Sequence, residues 1–263
     1  MATEEPAYRS LAPQELAAIA TASRLYDGVT FDAGLSCDQF DFAGCTFNKC
    51  LFAVPVIRSA DFSQAHFKQC RFAPSRFASC KFVEAKFHNC SLYDVEQRKG
   101  SVFAFCDAKA MQAEETNFSS CTFERCDLYD LRGVECSFRG VRFGHSTFSK
   151  ALSKRTAVTR ARFDKCSFAF ADLSGLGLQG CEFLSCKFPE AAFFDSDLSD
   201  ATMLACDLER AEWDRARLTR ADLRGSALSG LNLAVVADYA GLTVSESEQT
   251  SILERLGINV RPD

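Results

Sequence analysis

The chain has 263 residues, a net charge of −5, a hydrophobic content of 47% and a mean hydropathy of −0.08. No run of 18 apolar residues occurs, which excludes a helical membrane span, and Glu4 and Glu5 stand where a signal peptide carries basic residues, so a cytosolic protein is expected. Thirteen of the 14 cysteines are spaced in multiples of five rather than as CxxC pairs beside histidine, which argues against a zinc site and, in a reducing compartment, against a disulfide framework.

Residues 1–30 precede any regular pattern. Within them Pro13 to Ala20 reads as a short helix with proline at its start, suited to capping the end of a larger body. Residues 31–233 then form one repetitive region. From Phe42 to Leu92 a large apolar residue falls at every fifth position: Phe42, Phe47, Phe52, Ile57, Phe62, Phe67, Phe72, Phe77, Phe82, Phe87, Leu92. The series resumes at Phe103, and from Phe163 it runs through Trp213 to Leu233. Of 25 phenylalanines, 20 occupy these positions, too many for a local accident.

Two residues before each large side chain stands a small one, commonly Cys or Ala, as at Cys45, Cys50, Ala60, Ala65, Cys70, Cys121 and Cys181. A period of five matches neither the 3.6 of a helix nor sustained strand alternation, so it signals a repeat architecture. In a short extended segment, positions two apart point to the same side. Each quintet is therefore one side and one corner of a coil, with Cys and Ala as small core fillers.

Two segments break the pattern. Phe103 follows Leu92 by eleven positions where two quintets give ten, so a small loop is expected within residues 93–102. Across residues 149–162 the phase survives, but Ser153 stands where a large apolar residue belongs, and Lys150, Lys154, Arg155, Arg160 and Arg162 give a local charge of +5. From Asp164 to Leu233 there are twelve acidic and seven basic residues. The expectation is a basic loop on an acidic rod, with Asp195, Asp197, Asp200, Asp207, Glu209, Glu212, Asp214 and Asp222 as its acidic face.

Residues 234–263 form the tail. Ser245 and Glu248 have capping-box spacing before a helix over Thr250 to Leu256, and Gly257 stands at its C-terminal end. Ile252, Leu253, Leu256, Ile258 and Val260 need an apolar partner surface, either the last coil or a second chain.

A search for chemistry finds little. Gly175 to Gly180 matches GxGxxG, but it lies inside the repeat with Leu173 and Leu178 in core positions and no helix following. The cysteines face inward and the three histidines are scattered, so no nucleophile and base can be paired. No enzyme activity, cofactor or metal is expected.

The quintets Ala171-Asp172-Leu173-Ser174-Gly175, Ala221-Asp222-Leu223-Arg224-Gly225 and Cys206-Asp207-Leu208-Glu209-Arg210 resemble the A(D/N)LXX units of pentapeptide-repeat proteins. The resemblance implies an all-β solenoid, a right-handed quadrilateral β-helix with four quintets per coil and about nine coils. Within that family, the segment from Tyr93 to Phe103, at Tyr93, Asp94, Glu96, Lys99, Gly100 and Phe103, resembles the smaller loop of Qnr-type proteins. Arg155-Thr156 matches a dipeptide of their larger loop, and Leu253 to Val260 is similar to their C-terminal dimerisation segment.

What this implies is a homodimer that binds DNA gyrase or topoisomerase IV as a DNA-like acidic rod and protects it from poisons that trap cleaved DNA. The mycobacterial MfpA type and the albicidin and microcin self-resistance proteins belong to the same group. The partner-binding residues would be Tyr93, Asp94, Glu96, Arg98 and Lys99 in the first loop and Lys150, Lys154, Arg155, Thr156 and Arg160 in the second. No direct nucleic-acid or membrane contact is implied. The competing reading is a passive interaction scaffold or effector with an unrelated partner, which gives no reason for the breaks and tail to match one subgroup.

Overall fold

The computed structural model describes residues 8–153 and 156–261, and these form a parallel β-solenoid of about ten turns with few helices. Strands of two to four residues stack coil upon coil in register, usually 20 residues apart. The first face is a column of nine parallel strands, from Leu25–Asp27 to Thr202–Leu204. The second runs through Val29–Phe31, Leu51–Phe52 and Arg71–Phe72 and continues as single-residue bridges to Asp207 and Ala227. The third runs through Val56–Arg58, Arg76–Ala78, Val102–Ala104 and Thr122–Glu124, and the fourth consists of bridges such as Asp41↔Asp61 and Asp107↔Asp127.

The core is not one file of rings but four columns, because each face stacks its own large residue on that of the next coil. On the first face Phe47 lies 4.8 Å from Phe67, and Phe67 4.6 Å from Phe87, both nearly parallel. Phe52 and Phe72 on the second face, Phe103 and Phe123 on the third, and Phe62 and Phe82 on the fourth repeat the arrangement at 4.6–5.0 Å. Offset stacking at such distances contributes about 0.5–1.5 kcal/mol per pair beyond burial. Trp213 continues the third column, 4.6 Å from Phe193, with its indole N–H buried and unpartnered.

The small positions form ladders of their own. Cys50, Cys70, Cys90, Thr116, Cys136, Cys166, Cys186, Cys206 and Ser226 occupy one column, all buried and every cysteine free. Several donate to a carbonyl of the preceding coil: Cys70 Sγ to Phe47 O at 3.3 Å, Cys206 Sγ to Phe183 O at 3.4 Å, Ser226 Oγ to Met203 O at 2.7 Å. Cysteine and serine interchange here because both fit the space and satisfy the same carbonyl.

Corners follow two positions after each large residue, in left-handed backbone: Lys49, Gln64, Gln69, Glu84 and Asn89 have φ of 50–57°. That conformation costs a non-glycine residue about 1–2 kcal/mol. Each corner N–H offsets about 1 kcal/mol of it by bonding the next coil, as Gln64 N to Val83 O at 2.7 Å. Gly175 and Gly180 of the GxGxxG match are corners of this kind, with φ of 67° and 66°.

The coils begin earlier than the sequence pattern indicates. Tyr26 is fully buried, stacks 5.0 Å from Phe47, and donates its hydroxyl to Leu16 O at 2.9 Å. The helix α1, Pro13–Ala22, closes this end by burying Leu16, and Glu15 accepts from Ala12 N and pairs with Arg9. The coils also end later than Leu233, since Arg217 bridges Asp238 and Asp222 bridges Thr243, and the count of about nine coils becomes about ten for these two reasons.

At the other end the side chains of Ser245 and Glu248 do not form the expected capping box. They cap the solenoid instead: Ser245 Oγ accepts from Gly225 N at 2.7 Å and Glu248 Oε2 from Leu228 N at 3.3 Å. A 3₁₀ turn, Glu246–Glu248, leads into α2, Gln249–Arg255, which lays Ile252 over the last coil.

Candidate interaction hairpins and tail

Both breaks in the repeat are antiparallel hairpins that leave the coil and return to it. Tyr93–Asp94 pairs with Lys99–Gly100, and Ser101 N bonds Leu92 O at 3.0 Å to close the neck. Phe103 stacks on Phe77, 26 residues earlier instead of 20, so the excursion contains six extra residues. The eleven-residue interval is one quintet plus six, not two quintets plus one. A Cβ at Gly100 would overlap the backbone of Ser119 to Cys121, which explains glycine at the return point.

Ser149–Ala151 pairs with Ala157–Thr159, with Arg160 N bonded to Phe148 O at 3.0 Å across the neck. Gly133 and Phe163 are register partners 30 residues apart, so ten residues are excluded from the coil. Ser153 therefore occupies no core position. The phase survives because ten is a multiple of five.

The first hairpin departs between the second and third faces, the second between the fourth and the first. They stand on diagonally opposite corners, two and a half coils or about 12 Å apart along the axis. In the first, Asp94 Oδ1 accepts from Gln97 N at 2.8 Å and fixes the turn, leaving Glu96, Arg98 and Lys99 exposed. Tyr93, Asp94, Val95 and Glu96 also line a groove of about 620 Å³ over Leu51, Ala53 and Ala73 of the second face.

In the second hairpin, Lys150 Nζ lies 5.7 Å from the Tyr129 ring centroid and Arg160 pairs with Asp130 at 3.2 Å. Arg162 pairs with Glu182 at 2.8 Å, and the Thr156 carbonyl accepts from Leu152 and Ser153. Lys154 and Arg155 lie outside the described residues. The +5 of this segment is thus partly neutralised at its base. The sequence reading missed the exposed apolar residues Val95, Leu152 and Val158 on the hairpins. Phe105 and Phe170, exposed at corners beneath Arg125 and Arg139, were missed too. Their signal was present: a phenylalanine at a corner position, out of phase with the core series.

The eight carboxylates expected to share an acidic face do not. Asp222 lies on the first face, Asp207 and Glu209 on the second, Glu212 and Asp214 on the third and Asp197 on the fourth, while Asp195 and Asp200 are corners. Arg215 and Arg220, one coil on, grip Asp195 and Asp200 in two-pronged pairs of 2.6–2.7 Å and hold both below the usual carboxylate range. Asp197, Asp207 and Asp222 accept from the N–H two residues on, at 2.9–3.1 Å, and so pin their corners. The Asp of A(D/N)LXX is a turn acceptor here.

Of the tail residues, Ile252 is buried in its own chain and does not face outward as an interface residue would. Leu253 is half-buried, and Leu256, Ile258 and Val260 are exposed near the end of the rod that also exposes Val235 and Tyr239. Among the described residues no helix is long and apolar enough to cross a membrane, and no group of His, Cys, Asp and Glu is placed to hold a metal.

This geometry defines a pentapeptide-repeat β-helix. The family profile described as pentapeptide repeats matches in eight copies, over residues 57–95 and 203–234. Among solved structures, the chain is similar to QnrB1, a plasmid-mediated fluoroquinolone resistance protein. The full-length form is 21% identical, with a TM-score of 0.64, covering 89% of this chain and 97% of that one. A trypsin-treated variant is 20% identical at the same TM-score, covering 90% and 99%. HetL, a pentapeptide repeat protein involved in heterocyst differentiation regulation in the cyanobacterium Nostoc, is 13% identical with a TM-score of 0.59, covering 88% and 94%. At these identities the likeness is one of fold. Comparison with curated proteins gives no sequence match.

Proposed function

We propose that this protein binds a bacterial type II topoisomerase, DNA gyrase or topoisomerase IV, and protects it from poisons that trap cleaved DNA. It acts by binding rather than by catalysis, in the cytoplasm, as a homodimer joined through Leu256, Ile258 and Val260. The observation that carries this reading is the pair of hairpins. The register of the rod slips by a single residue near each end, where Leu25 pairs with Thr46 and Arg217 with Asp238. Among the described residues it is interrupted by a projecting, closed-necked hairpin at only two places, and a rod built this way has invested those segments with a role the solenoid does not need.

The charge layout refines the mechanism. Ten coils at about 4.8 Å give a rod of about 48 Å, and two joined end to end span about 95 Å. Duplex DNA carries one charge per about 1.7 Å, whereas the carboxylates here are spread over four faces and several are held by arginine. The rod therefore imitates the shape of a duplex more than its charge, and the hairpins deliver the protective effect. The test is a gyrase supercoiling assay with the purified protein, with and without a fluoroquinolone. Restored supercoiling in the presence of the drug supports the reading; no effect on drug inhibition at any protein concentration refutes it.

A further inference from the structure

The charge of the rod is uneven in a way that neither hairpin explains. Residues 44–91 hold seven Lys and Arg but only Asp61 and Glu84 as acids, a local +5 in a chain of net −5. Three lysines are paired, Lys81 with Asp61, Lys109 with Asp107 and Asp127, and Lys165 with Glu135. Lys68 and Lys86, exposed on the first face, have no carboxylate within ion-pair distance among the described residues.

These two lysines flank a groove of about 380 Å³, with His66 and His88 on the same two strands and Phe87 and Ala113 in its floor. The groove lies where the core residue of this face shrinks from phenylalanine at 67 and 87 to Ala113 and Gly133. A Cβ at Gly133 would stand 3.0 Å from the Phe163 ring and 3.3 Å from Phe138, so the backbone there runs close against the core. Partial burial, with Lys86 and Lys68 beside it, holds the His66 imidazole below its ordinary pKa. Glu114, which pairs with His88 at 3.3 Å, and Arg132, which pairs with Asp130 at 3.0 Å, also line the groove, so the cations Lys68, Lys86 and Arg132 outnumber its one carboxylate and the site is net positive.

We propose that this groove docks an extended acidic segment of a partner protein. Carboxylates at i and i+2 of a strand lie about 7 Å apart on one side, a spacing suited to cations on neighbouring strands, while the residue between them points away from the groove. The positive stretch is confined to residues 44–91 of a chain of net charge −5, so a long polyanion such as a nucleic acid runs from it onto like charge, which favours a short acidic protein segment. The site is independent of the hairpins and of the topoisomerase reading.

The probe is a fluorescein-labelled peptide, Glu-Leu-Glu-Phe-Glu-Leu-Glu, titrated with the full-length protein at low salt. Anisotropy is read alongside the histidine ring resonances by NMR. Binding should raise the His66 pKa, and Lys68→Glu with Lys86→Glu should weaken binding by on the order of tenfold or more. Lys187→Glu, exposed on the second face, should leave it unchanged. Three results overturn the proposal: no shift of His66 or His88 at the highest peptide concentration, equal weakening by Lys187→Glu, or tighter binding of a single-stranded oligonucleotide of the same charge.

Discussion

At the scale of single residues, inward and outward positions two apart carry opposite demands. Phe123 is fully buried between Phe103 and Phe143, whereas Arg125 is an exposed corner with φ of 52°. Phe123→Asp buries an unpaired charge among rings, costs several kcal/mol and should abolish soluble expression. Arg125→Asp should express normally, since Asp tolerates left-handed backbone; equal yields of the two variants would disprove the register. The thiols supply a second test. Burial pushes Cys37, Cys121 and Cys181 up to about 12 and Cys206 up to about 11. Folded values above the unfolded one, near 9, mean stability that is complete below pH 9 and lost as pH rises towards the folded values. At pH 10 each thiol costs about 1.4 kcal/mol, so four cost on the order of 6 kcal/mol, comparable to the net stability of many domains. Thermal melts should be flat from pH 6 to 8 and fall steeply above 9; an unchanged melting temperature at pH 10 would contradict the buried ladders.

At the scale of elements, the hairpins are separable from the coil that carries them. Deleting Asp94 to Lys99 leaves Leu92 and Phe103 five apart, and deleting Lys150 to Thr159 does the same for Phe148 and Phe163, so each cut restores an ordinary corner. Both variants should keep the wild-type circular dichroism spectrum and melt within a few degrees of it; a molten or aggregated product from either would show that the hairpin lengths are misassigned. The coil itself was legible in the sequence because four stacked columns force a large residue at every fifth position. The hairpins were legible only as disturbances. Ten excluded residues preserve a five-residue phase, and six excluded residues look like one, so periodicity cannot report how much chain leaves the wall. The acidic face failed for a related reason. Carboxylates were counted along the chain, whereas pairing acts across coils, joining Asp195 to Arg215 and Asp200 to Arg220.

At the scale of the whole molecule, the tail serves two purposes that the sequence presents as one. Ser245, Glu248 and Ile252 close the last coil, while Leu256, Ile258 and Val260 remain exposed. Removing residues 256–263 should leave a folded monomer in light scattering, and removing 245–263 should also uncap the coil and bring aggregation. A dimer that survives the shorter truncation would place the interface elsewhere. The central claim, that the rod positions the protein and the hairpins protect the enzyme, is tested most directly by one comparison at the larger of the two. Gyrase is assayed for supercoiling in a fluoroquinolone with the wild-type chain or with the Lys150 to Thr159 deletion, each at saturating concentration. The account predicts rescue by the wild type and none by the deletion, although the deletion still competes with the wild type for gyrase; full rescue by the deletion would contradict it.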